Sequence, residues 1–220
     1  MIKFENTEVM NFEGAFRGMR NPLNSWGKSD SKLKYTECTV SGVCGNCVDI
    51  ENCNMLGNND LDLAQRLIKA GPDHRKFLRQ IFVSVDITAP LYWWKEFDTY
   101  KVATVANSCS TMHKIHSKPI EIDDFSVEKL STGDYLRFSE YVRFLEDTRL
   151  TYLETKDKRE WYTLIQLLPS SYNQKRTITL NYETIRNIRG SRRNHKLDEW
   201  SIGFMEWIDS LPYAEELIKS

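Results

Sequence analysis

The sequence predicts an α+β fold, and three segments carry this prediction. Residues 80–88 read QIFVSVDIT, and every second position from Ile81 to Ile87 is Ile or Val, as in a strand with one buried face. Residues 176–180, RTITL, have the β-branched composition of a second strand. Residues 134–155 repeat apolar residues at steps of three and four, which predicts a long helix. Strands that lie far apart in the chain and are separated by helices are typical of an α+β domain.

The composition indicates a folded globular protein. The 220 residues are 40% hydrophobic and 12% aromatic, which is enough for a substantial core. The formal net charge of −1 gives no general positive field, so nucleic acid and anionic membranes are not expected partners. Residues 1–11 have charged residues and no long apolar run, and no later stretch has the length and hydrophobicity of a transmembrane helix. We therefore expect a single cytoplasmic domain over residues 1–220.

The elements before the first strand are predicted from boundary residues and composition. Residues 8–26 are compatible with a short helix that ends at the step before Pro22. Residues 27–59 are rich in Ser, Asn, Gly and Cys, and we predict a loop insertion there. Asp60 can cap a helix that continues through Ala70.

The elements after the first strand follow the same rules. Pro90 can open a helix that runs toward Tyr100. Residues 114–132 are predicted to be a connection, and a helix shorter than the one over 134–155 ends before Pro169. The last helix is predicted to begin near Asn181 and to bury one apolar stripe in the core. The members of that stripe are Leu197, Trp200, Phe204 and Trp207.

Four of the five cysteines lie within sixteen residues, with the spacing C-x5-C-x2-C-x5-C. The central CxxC pair has the spacing of a zinc site, because two thiolates on a tight turn can share one tetrahedral ion. Reduced thiols in a loop and a redox pair are the alternatives, and the spacing does not decide among the three. The candidate metal ligands are Cys38, Cys44, Cys47 and Cys53.

Residues 89–113 read APLYWWKEFDTYKVATVANSCSTMH and combine three consecutive aromatic residues with a later polar cluster. Polar groups close behind large apolar side chains are typical of a pocket, and an amphipathic helix with buried aromatic residues is the alternative. Asn107 and Ser110 can form hydrogen bonds in such a pocket or can serve as turn and cap residues. Cys109 is either a reactive thiol beside the pocket or a small buried residue.

Two segments, Gly71 to His113 and Leu168 to Trp200, resemble the flavin-dependent thymidylate synthases. In that family a His that follows a Gly precedes a strand ending in an AP step. A helix then carries RQ, followed by the RHR signature, a spacer of small residues and N-x-x-S, and a later helix carries N-x5-N-x4-R. The corresponding positions here are Gly71, His74, Ala89-Pro90, Lys95-Glu96, Thr99-Tyr100-Lys101, Ala103-Thr104, Asn107, Ser110, Leu168-Pro169, Asn181, Asn187 and Arg192.

The resemblance implies a twisted, mainly antiparallel sheet packed with helices, and a homotetramer whose active sites form between subunits. It also implies reductive methylation of dUMP to dTMP, with FAD as cofactor and with NADPH and methylenetetrahydrofolate as co-substrates. The residues implied at the cofactor are His74, Thr99, Tyr100, Lys101, Asn181 and Asn187. The residues implied at the pyrimidine nucleotide are Glu96, Asn107, Ser108, Ser110, Arg192 and Arg193.

The chain departs from the family at several of these positions. Of the RHR triplet only Lys101 keeps a cation, and Glu96 replaces a neutral donor with an anion that can only accept hydrogen bonds. Phosphate binding would then depend on Arg192, Arg193, Lys101 or Lys114. The departures motivate an alternative function, in which a catalytically altered relative acts as a nucleotide-binding or regulatory protein. The clustered cysteines motivate another, a zinc-stabilised interaction protein.

Overall fold

A computed structural model describes residues 2–32 and 56–220. The strands are β1 (Lys3–Met10), β2 (Phe82–Pro90), β3 (Val105–Ser108) and β4 (Asn173–Asn181). The α-helices are α1 (Phe12–Arg20), α2 (Asn58–Lys69), α3 (Leu91–Phe97), α4 (Thr111–Lys114), α5 (Thr132–Thr155), α6 (Lys158–Gln166), α7 (Tyr182–Arg192) and α8 (Met205–Asp209). Short 3-10 turns lie at Asn21–Leu23, Trp26–Lys28, Lys76–Gln80, Ile115–Ser117 and Ile122–Asp124, and π-helical segments at Glu199–Phe204 and Glu215–Lys219.

The four strands form an antiparallel sheet in the order β1-β2-β4-β3, which confirms the predicted α+β class. In β2 the alternating side chains of Val83, Val85 and Ile87 are fully buried, as the period of two predicted. The adjacent strand β4 begins three residues earlier than predicted, at Asn173. Within the described ranges, no helix has both the length and the hydrophobicity needed to span a membrane.

The described residues cluster into two compact units. Unit 1 consists of Met1–Lys3, Ile87–Thr99 and Ala106–Thr177, and unit 2 of Phe4–Asp86, Tyr100–Val105 and Ile178–Ser220. The expectation of a single domain over residues 1–220 stays a prediction.

The core of unit 1 lies along α5 and α6. Helix α5 begins at Thr132, because the Ser131 side chain accepts a hydrogen bond from the Asp134 backbone N–H at 3.2 Å. Leu145 of α5 and Leu164 of α6 are almost fully buried in one apolar cluster. In α3, the aromatic side chains of Trp93 and Trp94 are buried, so these aromatics pack inward as in the amphipathic-helix interpretation.

The core of unit 2 contains the apolar stripe that was predicted for the last helix. Trp200, Phe204 and Trp207 are all buried, and Leu197 is half-buried. The Trp207 ring also stacks on Phe4 of β1, with centroids 4.9 Å apart. This contact packs β1, whose sequence lacks regular alternation, against the core of unit 2.

Two predicted helix boundaries were wrong. Residues 8–10 belong to β1, because Asn11 adopts a left-handed conformation with φ of 70° and separates the strand from α1. The last helix is interrupted after Arg192. There the Leu197 backbone N–H donates to His195 Nδ1 at 3.1 Å instead of to a helical carbonyl.

Asp60 was also predicted wrongly as a helix cap. Helix α2 begins at Asn58, with Gly57 in the cap position, so Asp60 lies in the first turn. Its side chain is buried and binds Arg20 instead.

Candidate functional site

A cleft of about 560 Å³ opens in unit 1. Its inner surface includes the buried side chains of Phe125, Tyr172 and Gln174. Exposed or half-buried polar residues complete it, and they include charges of both signs, namely Lys3, Lys118, Lys175, Asp123, Asp124, Glu128, Thr88, Cys109, Ser110, Thr111 and Asn173. An aromatic inner surface with ammonium, carboxylate and hydroxyl groups around it suits a small polar ligand that carries a ring.

The backbone between β3 and α4 holds Ser110 at this cleft. The Cys109 N–H donates to the Lys175 carbonyl at 2.9 Å, and Gln174 Nε2 donates to the Cys109 carbonyl at 2.7 Å. These bonds tie the end of β3 to β4. The Ser110 hydroxyl accepts a hydrogen bond from the His113 N–H at 3.1 Å and so caps α4. The Ser110 hydroxyl therefore combines the cap role with a place in the cleft, and its proton can be donated to a ligand.

Tyr172 and Lys118 both line the cleft, and both have shifted pKa values. Burial raises the pKa of the Tyr172 phenol, so the phenol stays protonated at neutral pH. Burial alone would lower the pKa of Lys118, but its hydrogen bond and ion pair with Asp124 raise that pKa overall. The cleft therefore contains a neutral phenol donor beside a charged ammonium group.

The other residues of unit 1 that the family resemblance implied at the cofactor or the nucleotide do not line this cleft. The Glu96 carbonyl accepts from the Thr99 backbone N–H at 3.2 Å and from the Thr99 hydroxyl at 2.7 Å, which closes the end of α3. Asn107 and Ser108 lie in β3 and are exposed. Of the predicted nucleotide residues, Ser110 is the one that the cleft contains.

Unit 2 brings together one predicted cofactor residue and one predicted substrate residue. Arg192 Nε donates to the Tyr100 hydroxyl at 2.8 Å, and the Arg192 guanidinium lies 5.1 Å from the Trp200 ring centroid. Such contacts fix the orientation of the guanidinium fork. Lys101 follows Tyr100 in the chain and Arg193 follows Arg192, and both side chains are exposed.

A cluster of arginines that the sequence analysis missed lies next to His74. Arg75 Nε contacts both Glu183 carboxylate oxygens, at 2.9 and 3.2 Å, and the pair is mostly buried. Burial and the nearby Arg75 lower the pKa of Arg186, and Arg189 acts on it in the same direction. Arg75 pairs with Glu183, and Arg186 interacts electrostatically with Arg75, Glu183 and Arg189, so these four groups together carry a net positive charge. The available signal was Arg75 itself, which directly follows the matched His74.

The remaining cofactor candidates lie on or near the same helix. Asn181 is buried at the start of α7, and its side-chain oxygen accepts from the Thr184 N–H at 2.9 Å. Asn187 is exposed farther along α7, and His74 is exposed in the turn before the Lys76–Gln80 segment. Asn181 therefore has a helix-capping role whether or not it also binds a cofactor.

Replacing Asn181 with alanine is expected to lower the free energy of unfolding by about 1 kcal/mol, because α7 loses its N-terminal cap. Asn181→Asp should retain most of the stability, since a carboxylate accepts the same bond and suits the positive end of the helix. Urea unfolding of both variants measures this difference. Equal losses in the two variants would contradict the capping role.

The four clustered cysteines lie outside the described residues. In the part of the chain that the structure describes, no group of three or more His, Cys, Asp or Glu side chains is arranged to hold a metal ion. Cys109 is an exposed free thiol that lines the cleft, so of the two interpretations of this residue the small buried one was wrong.

No protein-family model and no curated protein matches this sequence. Solved structures match its fold over nearly the whole length. A crystal structure of thymidylate synthase X (ThyX) from Helicobacter pylori with FAD and dUMP superposes with a TM-score of 0.65 at 17% identity, covering 99% of this chain and 96% of that one. A second structure, of flavin-dependent thymidylate synthase ThyX from the same organism complexed with FAD and dUMP, gives a TM-score of 0.66 at 16% identity, covering 99% and 97%. The chain thus has the flavin-dependent thymidylate synthase fold, as the resemblance in sequence predicted.

Proposed function

We propose that this protein is a flavin-dependent thymidylate synthase-like enzyme that methylates dUMP to dTMP. The observation that carries the proposal is the likeness of fold over 99% of the chain to proteins whose structures contain FAD and dUMP. In this proposal NADPH and methylenetetrahydrofolate are the co-substrates. The enzyme works in the cytoplasm as a homotetramer whose active sites form between subunits.

The donor set of unit 2 fits an anionic cofactor such as FAD. Arg75, Arg186 and Arg189 supply more positive charge than Glu183 neutralises, and guanidinium groups pair well with pyrophosphate oxygens. These residues, with His74 beside them in the turn, would hold the cofactor. The flavin, once bound, supplies the hydride chemistry. The part of the protein in that chemistry is to bind, to orient and to exclude water.

The substrate in this proposal is a pyrimidine nucleotide bound in the cleft of unit 1. The inner surface formed by Phe125 and Tyr172 suits the sugar and ring, and the Ser110 hydroxyl and Lys175 can donate to oxygens of the nucleotide. Arg192, whose guanidinium is held by Tyr100, is a further residue that would contact the nucleotide. In an assembly with active sites between subunits, it reaches the nucleotide bound by another protomer.

The proposal is tested by titrating FAD into the purified protein with and without dUMP, followed by assay of dTMP formation with NADPH and methylenetetrahydrofolate. We expect saturable FAD binding that dUMP strengthens, and formation of dTMP. Both ligands should be titrated at several salt concentrations, because binding through arginine and lysine weakens as salt screens the charges. A protein that binds neither FAD nor dUMP would sink the proposal.

A second candidate function is nucleotide binding without flavin chemistry. Tyr100 occupies the middle position of the family's cationic triplet, and its hydroxyl accepts a bond from Arg192. Two cations of that triplet are therefore replaced, and Tyr100 is engaged within the protein. Binding of dUMP by a protein that does not bind FAD would favour this candidate, whereas dTMP formation would exclude it.

A further inference from the structure

Tyr172 differs from two other tyrosines of the protein in the hydrogen bonding of its hydroxyl. The Tyr141 hydroxyl donates to the Leu167 carbonyl at 2.6 Å, and the buried Tyr182 hydroxyl donates to the Pro212 carbonyl at 2.7 Å. Tyr172 is only 9% exposed, yet among the described residues its hydroxyl has no hydrogen-bond partner. Because Tyr172 lines the cleft, its hydroxyl can donate a hydrogen bond to solvent or to a ligand there.

The surroundings of the Tyr172 phenol define what kind of acceptor it fits. The phenol lines the cleft and interacts electrostatically with Lys118, Asp124 and Cys109, which line the same cleft. Lys118 is paired with Asp124, but an ammonium group has three N–H donors and one carboxylate oxygen occupies one of them. A phenol donor and an ammonium donor therefore lie close together at this end of the cleft.

Other charges of the cleft have both signs. Lys3 and Lys175 add positive charge, whereas Asp123 and Glu128 add negative charge at exposed positions. Exposed charges are screened by water and contribute little to binding. The Lys118 ammonium group is also exposed, with 59% of its side chain accessible, and it is held in place by its pair with Asp124. The mostly buried Tyr172 phenol beside it is less screened, so the phenol donor determines which ligand atom is preferred at this end.

We infer that Tyr172 and Lys118 bind a phosphate oxygen of the nucleotide, with the Tyr172 hydroxyl as a hydrogen-bond donor that selects phosphorylated over unphosphorylated ligands. This inference rests on the proposed function for the identity of the nucleotide. It adds a substrate-binding tyrosine that the family signatures do not contain. A phosphate has several terminal oxygens, so it can accept from Tyr172, Lys118 and further donors together.

The experiment compares Tyr172→Phe with the matched control Tyr141→Phe in the full-length protein. Calorimetry measures binding of dUMP, deoxyuridine and inorganic phosphate, and thermal unfolding without ligand measures stability. Tyr172→Phe should weaken the binding of dUMP and of phosphate about tenfold or more and leave the affinity for deoxyuridine unchanged. Its melting temperature should also stay unchanged, because no internal hydrogen bond is lost. Tyr141→Phe should lower the melting temperature and leave dUMP affinity unchanged, because it removes the bond to the Leu167 carbonyl.

The outcomes separate this inference from the proposed function. Unchanged dUMP affinity in Tyr172→Phe would overturn the inference while leaving the proposed enzyme intact. Equal weakening of deoxyuridine and dUMP would also overturn it, because the contact would then be to the ring or sugar. Binding of dUMP that depends on Tyr172, in a protein that neither binds FAD nor forms dTMP, would support the inference and refute the enzyme. If the wild-type protein binds none of the three probes, the inference is overturned. The FAD titration then tests the proposed enzyme function separately.

Discussion

Replacing Asp60 with alanine is expected to lower the free energy of unfolding by about 3–5 kcal/mol, because it leaves a buried arginine without its counter-charge. The Asp60 carboxylate is 0% exposed and accepts from Arg20 Nε at 2.6 Å. It also accepts from the Ser29 and Ser31 hydroxyls, at 2.8 and 2.5 Å, and from the backbone N–H of Asp30 at 3.3 Å. The carboxylate thus joins α1, α2 and the segment between them.

The matched control is Asp62→Ala, two residues farther along α2. Asp62 pairs with Arg66 at 2.9 Å, but both side chains are about two-thirds exposed, at 67% and 66%. An exposed pair one helical turn apart contributes about 0.5 kcal/mol or less. Urea unfolding at neutral pH measures both variants. Similar losses in Asp60→Ala and Asp62→Ala would show that the buried network does not stabilise the fold as argued.

The same network predicts an acid dependence of stability. Burial alone would raise the pKa of Asp60, but hydrogen bonds from Ser31, Ser29 and Arg20 outweigh it and lower that pKa in the folded protein. The stabilisation is therefore complete above the unfolded-state pKa of about 3.9 and is lost as the pH falls through the lowered folded-state pKa. The stability difference between the wild-type protein and Asp60→Ala should shrink as the pH falls below about 4. A difference that stays constant down to the acid unfolding transition would contradict this account.

Replacing Arg192 with alanine is expected to weaken dUMP binding between about tenfold and about a hundredfold, the range for losing a hydrogen bond to a charged group. Tyr100 and Trp200 hold the Arg192 guanidinium in one orientation, with Nε 2.8 Å from the Tyr100 hydroxyl. A group that is already oriented loses little conformational entropy when it binds. Arg192→Lys should not restore affinity, because an ammonium group cannot reproduce the planar fork.

The control for this prediction is the adjacent Arg193, which is exposed at the end of α7. Arg193→Ala should change dUMP affinity less than about threefold, since a flexible exposed cation contributes little. Calorimetric titration of dUMP into each variant gives the affinities, and thermal unfolding shows whether loss of the Tyr100 contact destabilises the protein. If Arg193→Ala weakens binding as much as Arg192→Ala does, the orientation argument is wrong.

Local sequence patterns were enough to predict the main elements of this protein. Burial in β2 follows a period of two, and α5 follows steps of three and four, because each pattern depends on residues within one element. The family motifs also predicted the fold, since their order and spacing along the chain correspond to the order of the strands and helices. Their spacing could not show which of the matched side chains share one cavity.

Tertiary structure alone decided how the polar residues are used. Asp60 looked like a helix cap, but it binds Arg20, forty residues away, inside unit 2. The Tyr172 phenol was not singled out, because its position beside Lys118 depends on how the chain folds back. Sequence by itself determined β2, most of β4 and α5, which depend on neighbours in the chain, but not β1 or β3. Packing decided the contacts of Asp60, Tyr172 and Arg192, because residues distant in sequence meet there and no local pattern records their meeting.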